Sequence, residues 1–103
     1  MKLSLFIALL VPFAAHAADY FLLIKDHQFH PTELTIPSGT KIRLMIENQD
    51  ASPEEFDSHA LNREKVIAGH SNMMIYIGPL SPGRYSFSGE FHAATAQGAI
   101  VAQ

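Results

Sequence analysis

Pro82-Gly83-Arg84-Tyr85-Ser86-Phe87-Ser88-Gly89-Glu90-Phe91-His92, followed by Gly98-Ala99-Ile100-Val101, is the stretch that decides the fold. Pro-Gly is turn chemistry. Tyr85 and Phe87 alternate with serines, which is the period-two pattern of a strand with one buried face. Glu90, Phe91 and His92 then form a loop, and Ala99 to Ala102 reads as a closing strand. His92 therefore sits in a loop at one end of a β-structure, where a rigid scaffold commonly carries its chemistry.

Working outward, the same alternation recurs. Tyr20–Lys25 places Phe21 and Leu23 on one face, with Leu22 and Ile24 on the other, and Asp26 and His27 turn the chain. Phe29-His30-Pro31 leads into Leu34-Thr35-Ile36, closed by Pro37-Ser38-Gly39. Ile42, Leu44 and Ile46 oppose Lys41, Arg43, Met45 and Glu47, and Asn48-Gln49-Asp50 ends that strand. Segment 50–65 is polar and reads as a long connection around a short strand at Phe56. Val66-Ile67 is apolar and Ala68-Gly69 turns. Ser71–Ile77 has Met73, Ile75 and Ile77 on one face and Met74 and Tyr76 on the other. Seven or eight short strands, turns every 8–12 residues and no amphipathic helix predict an all-β antiparallel sandwich.

Residues 1–17 read as a cleavable signal peptide: Lys2, an apolar run from Leu3 to Phe13, and Ala15-His16-Ala17 as an A-x-A site. The apolar run is too short to span a bilayer. The expectation is export to the periplasm, with a single domain over 18–103 and no membrane insertion after cleavage. Taking 17 residues from 103 leaves 86, and losing Lys2 from seven Lys+Arg moves the formal charge from −3 to −4. With no basic stripe, nucleic acid and anionic membranes are poor partners and a cation is a better one. The chain has no cysteine, so neither a disulfide nor a thiolate ligand is available.

Two places could carry chemistry. A neutral imidazole at His92 suits Cu, Fe or Zn, and Glu90 lies two residues before it; a histidine merely hydrogen-bonded at a loop base is the plainer alternative. Pro53-Glu54-Glu55-Phe56-Asp57 sets three acids around one apolar residue. If Phe56 points inward, Glu54 shares its side and Glu55 and Asp57 face the other way. A solvated acidic loop, neutralised by Arg63 and Lys65, is the alternative there. His27, His30, His59 and His70 show no tight ligand spacing and read mostly as surface or capping residues. His30 stands out among them because it lies at a strand entry. Met73 and Met74 read as packing.

Phe29-x-Pro31-x-x-Leu34-x-Ile36-Pro37-x-Gly39, the strand ending at Asn48, Pro82-Gly83 before Tyr85-x-Phe87, and the His92 loop ending at Gly98 together resemble the cupredoxin superfamily. More narrowly, Glu54-Glu55-Phe56-Asp57-Ser58, Leu61-Asn62-Arg63-Glu64-Lys65-Val66-Ile67, Gly78-Pro79-Leu80 and Gly89-Glu90-Phe91-His92 look like the cupredoxin-like domains of Efe- and Ftr-type bacterial iron uptake. The resemblance implies a Greek-key sandwich. By it, Glu54, or Glu55, stands near the early histidine ligand of a blue-copper site, Gly89 replaces the cysteine, and His92 keeps the second histidine. The axial position falls near Ala96 or Gln97.

The implied metal site is Glu54, Glu55, Glu90 and His92, with His30 as an addition, and the implied ion is copper or iron. Without a thiolate, no blue chromophore is expected. The implied function is a periplasmic metal-binding protein that assists ferrous oxidation or delivery to an iron permease, or to a second periplasmic iron protein. Whether it turns over as a ferroxidase or only binds stays open at this level. The alternative is a metal-free sandwich that serves as an interaction module of a transport complex.

Overall fold

The computed structural model describes residues 19–103, so the expected signal peptide lies outside the described residues. Nine strands and one 3-10 turn follow one another: β1 Asp19–Lys25, β2 Gln28–His30, β3 Glu33–Ile36, β4 Ile42–Asn48, β5 Glu54–Ser58, β6 Arg63–Ile67, β7 Ser71–Ile77, β8 Gly83–Gly89, the turn Glu90–His92, and β9 Gln97–Ala102. They form two sheets, ordered β2-β1-β4-β7 and β3-β9-β8-β5-β6. Most ladders are antiparallel; β1 with β4 and β3 with β9 run parallel.

The alternations are realised as read. Leu22, Ile24, Ile42, Leu44, Ile46, Ile75 and Ile77 turn inward from the first sheet, and Phe56, Ile67, Phe87 and Ile100 from the second. Phe29 packs edge-on against both Phe56 and Phe87, with ring centroids 6.1 and 4.9 Å away. Edge-to-face contacts of this kind add to the hydrophobic burial. The core is thus pinned by three aromatic rings, from β2, β5 and β8.

The chief difference from the sequence reading lies in 50–65. The long connection is instead a full hairpin, with β5 and β6 paired antiparallel from Glu54↔Ile67 to Ser58↔Arg63. The inward residues of β5 are Glu54, Phe56 and Ser58, all buried. Two of those three are polar, so the apolar period vanishes from the sequence. Each is compensated by hydrogen bonds, as burial demands. The Ser58 hydroxyl donates to the Ser86 carbonyl at 2.7 Å and accepts from the Leu61 amide at 3.0 Å.

Candidate metal centre

Two turns and the start of a strand meet at one end of the sandwich. The first is the two-residue turn Asp26-His27 joining β1 to β2, where Lys25 pairs with Gln28. Both turn residues have positive φ, 53° and 55°, the requirement of a type I′ hairpin turn. Because β1 runs parallel to β4 with Ile24 beside Asn48, the turn lands next to the end of β4. Asp50 then clamps it. Its two carboxylate oxygens accept from the Asp26 and His27 amides at 2.8 and 2.9 Å, and Oδ2 lies 3.4 Å from His27 Nδ1. These bonds, the His27 amide first, hold the Asp50 carboxyl below the usual carboxylate range. The Thr95 hydroxyl donates to the His27 carbonyl at 2.7 Å.

The second contribution is Glu54, at the start of β5. Its side chain is 2% exposed and makes three hydrogen bonds. Oε1 accepts from the Phe91 amide at 2.9 Å and the Glu55 amide at 3.0 Å. Oε2 lies 2.6 Å from His92 Nδ1. The third is His92, closing the 3-10 turn, its ring stacked on that of His27 with centroids 3.6 Å apart and planes 11° apart. Donor atoms of His27, Glu54 and His92 all fall within 4.8 Å of one another. The result is two imidazoles and one carboxylate, half-open to solvent on the histidine side and closed on the glutamate side.

Glu54 and His92 are thus brought together, and His27 joins them. Glu55 points to the opposite face of β5, and Glu90 is exposed at the start of the 3-10 turn. There Glu64, and then Asp57 and Glu90, crowd Glu55, and its carboxyl is raised above the usual range, chiefly by its hydrogen bond to Glu64. His30 is exposed in β2 opposite Leu23, apart from the three-residue group. Arg63, expected to neutralise the acids, donates instead to the carbonyls of Leu61, Asn62 and Tyr76.

His27 was not among the expected ligands. Its signal in the sequence is indirect: Asp-His between two alternating runs, at a spacing that allows only a tight hairpin. No spacing rule links it to residues 54 and 92.

The donor set fits a borderline transition metal. Imidazole nitrogen suits copper, iron, nickel and zinc, and a carboxylate suits harder ions. Clustering at one pole, with the donors held in place by hydrogen bonds, suits a bound ion.

Comparison with known proteins agrees with the architecture. An uncharacterized protein of Rickettsia prowazekii (strain Madrid E) is 49% identical over 80 residues, covering 78% of this chain and 64% of the relative, so the chain spans less than two thirds of that protein. Among solved structures, auracyanin A, a "blue" copper protein from Chloroflexus aurantiacus, superposes with a TM-score of 0.72 at 14% identity, covering 85% of this chain and 100% of the other. The metal-binding domain of the Cu(I)-exporting P-type ATPase of Streptococcus pneumoniae D39 gives 0.69 at 16%, covering 82% and 84%. The purple cupredoxin of Nitrosopumilus maritimus gives 0.62 at 17%, covering 81% and 98%. At such identities the likeness shows the fold. The family model for the cupredoxin-like domain matches residues 2–102, and the chain belongs to that family.

Proposed function

We propose that this protein binds copper through His27, Glu54 and His92. The observation that carries this reading is the convergence of three donors from three separate segments, two turns and the start of a strand, to within 4.8 Å. Copper proteins among its structural neighbours support the choice of ion. Bound there, copper would supply a one-electron couple. The negative carboxylate attracts Cu(II) more strongly than Cu(I) by simple Coulomb energy, so the site favours the oxidised ion. Neighbouring groups, and Glu54 itself, position the donors. Asp50 and Thr95 hold the His27 turn, and Glu54 orients the His92 ring through Nδ1.

The finer reading is a component of iron uptake, exported to the periplasm, that works with an iron permease. It rests on the sequence runs 54–58, 61–67 and 89–92 and on the signal-like residues 1–17. Ferrous iron is then a substrate or cargo, held near copper by the acidic surface of Glu55, Asp57, Glu64 and Glu90.

A second reading has one observation in its favour. Glu54 already makes three hydrogen bonds within the protein, so a metal-free interaction module would leave no buried carboxylate oxygen without a partner.

Calorimetric titration with Cu(II) separates the two. Metal binding predicts a dissociation constant below about 10 µM, equivalent to about −7 kcal/mol. It also predicts a loss of at least about 10-fold on His92→Ala or His27→Ala, since removing a ligand costs no less than removing a group that only orients one. Weaker binding, or variants indistinguishable from wild type, favours the interaction module. Assay of ferrous oxidation by the copper-loaded protein, and co-purification of a permease from the native host, test the iron-uptake role.

A further inference from the structure

Gly89 ends β8 with φ −92° and ψ 107°, extended backbone that any residue adopts. The path of the chain does not call for glycine there. The surroundings do. A Cβ at this position would stand 2.6 Å from Glu54 Cδ and 2.9 Å from Glu54 Oε1, and 2.7 Å from the Ala96 Cβ. The backbone has little room to move away. Gly89 donates to the Ala96 carbonyl at 2.8 Å on one side and pairs with Phe56 on the other. Glu54 lies two residues before Phe56 on the same inward face, so its carboxylate fills the volume into which a side chain at position 89 would project.

We infer that Gly89 is a specificity-determining residue of the metal site: by leaving that space free it admits the Glu54 carboxylate as the inner donor, and so selects Cu(II) over soft monovalent ions. The inference rests on the copper reading above. An inward side chain from β8 and the carboxylate from β5 compete for one volume, and only one can be present. With the carboxylate in place the site is two nitrogens and a charged hard oxygen. Without it, two imidazoles remain, which bind a soft ion such as Ag(I) without needing the extra charge.

A double-mutant cycle between positions 89 and 54 tests this, run on Ala96→Gly protein to clear the other neighbour, with wild type alongside. Cu(II) and Ag(I) affinities are read by titration and folding by circular dichroism. In this reference, Gly89→Ala is expected to weaken Cu(II) by about 30-fold and Ag(I) by a clearly smaller factor, because both ions feel the lost contact to His92 Nδ1 but the lost charge weighs more on the divalent ion. Adding Gly89→Ala to Glu54→Ala is expected to cost nothing further. Unchanged Cu(II) affinity, losses that simply add, or equal falls for both ions would each overturn the inference while leaving the copper site standing. If Gly89→Ala unfolds the protein, recovery of folding on adding Glu54→Ala supports the clash with the carboxylate, and no recovery overturns it. Wild type and reference that bind no Cu(II) remove the copper reading itself, and the inference with it.

Discussion

Glu54 carries more of the site than any other side chain. It accepts two backbone amides and orients His92, so its truncation strands several polar groups at once. Glu54→Ala is expected to lower stability by about 1–3 kcal/mol, visible as a reduced urea midpoint in the metal-free protein. Glu90→Ala, on an exposed side chain outside the donor group, is expected to change neither stability nor Cu(II) affinity. Asp50 acts at one remove from the donors. Asp50→Ala frees the Asp26 and His27 amides, and Cu(II) affinity is expected to fall about 10- to 100-fold while the core, and hence near-ultraviolet circular dichroism from the buried aromatics, is retained. A sequence reader could name His92 and Glu54, since each sits in a recognisable local pattern. His27 could not be named as their partner, because what unites the three is through-space proximity between segments 27 and 38 residues apart.

At the level of elements, the β5–β6 hairpin combines a buried face with an acidic outer one. Asp57 pairs directly with Glu64, and Glu55 lies diagonal to Glu64; like charges so placed are destabilising. The Glu55 carboxyl is raised in the folded protein. The folded state thus holds that proton more firmly than the unfolded chain. The associated stability is present below the ordinary glutamate value of 4.5 and is lost as pH rises through the raised folded value. Glu64→Gln removes the partner. It is expected to raise the melting temperature at pH 7, and that gain is expected to shrink as pH falls towards 4.5, as followed by thermal melts across the range. This hairpin was the least legible element in the sequence. An alternating strand is recognised by its apolar face, and two of the three inward residues of β5 are polar. Strands β4 and β7, whose inward faces are all aliphatic apart from Met73, Asn48 and Ser71, were plain from the start.

For the molecule as a whole, the three-ring cluster of Phe29, Phe56 and Phe87 ties both sheets together. Phe56 is fully buried, and Phe56→Ala is expected to cost about 3–5 kcal/mol, measured by denaturant unfolding. In a domain of this size that is a large part of the total. A bound ion works in the opposite direction, since it favours only the folded state. Cu(II) at 100 times its dissociation constant is expected to add about 2.7 kcal/mol. That corresponds to a rise in melting temperature of about 10 °C or more, reversed by a chelator. His92→Ala, by weakening the site at least about 10-fold, is expected to cut this shift by about half or more.

The amino-acid sequence by itself determined the strand faces outside the β5–β6 hairpin, the absence of any thiolate ligand and the place of His92 beyond the β8 strand. Each follows from covalent order and a period of two, which are local properties of the chain. Only the tertiary structure decided that the Asp26-His27 turn, the start of β5 and the 3-10 turn share one pole. Parallel pairing of β1 with β4 and packing of the two sheets set that meeting, and neither leaves a mark in any single segment. The same holds for Gly89: its residue type is written in the chain, but the reason for it, a carboxylate arriving from another strand, exists only in three dimensions.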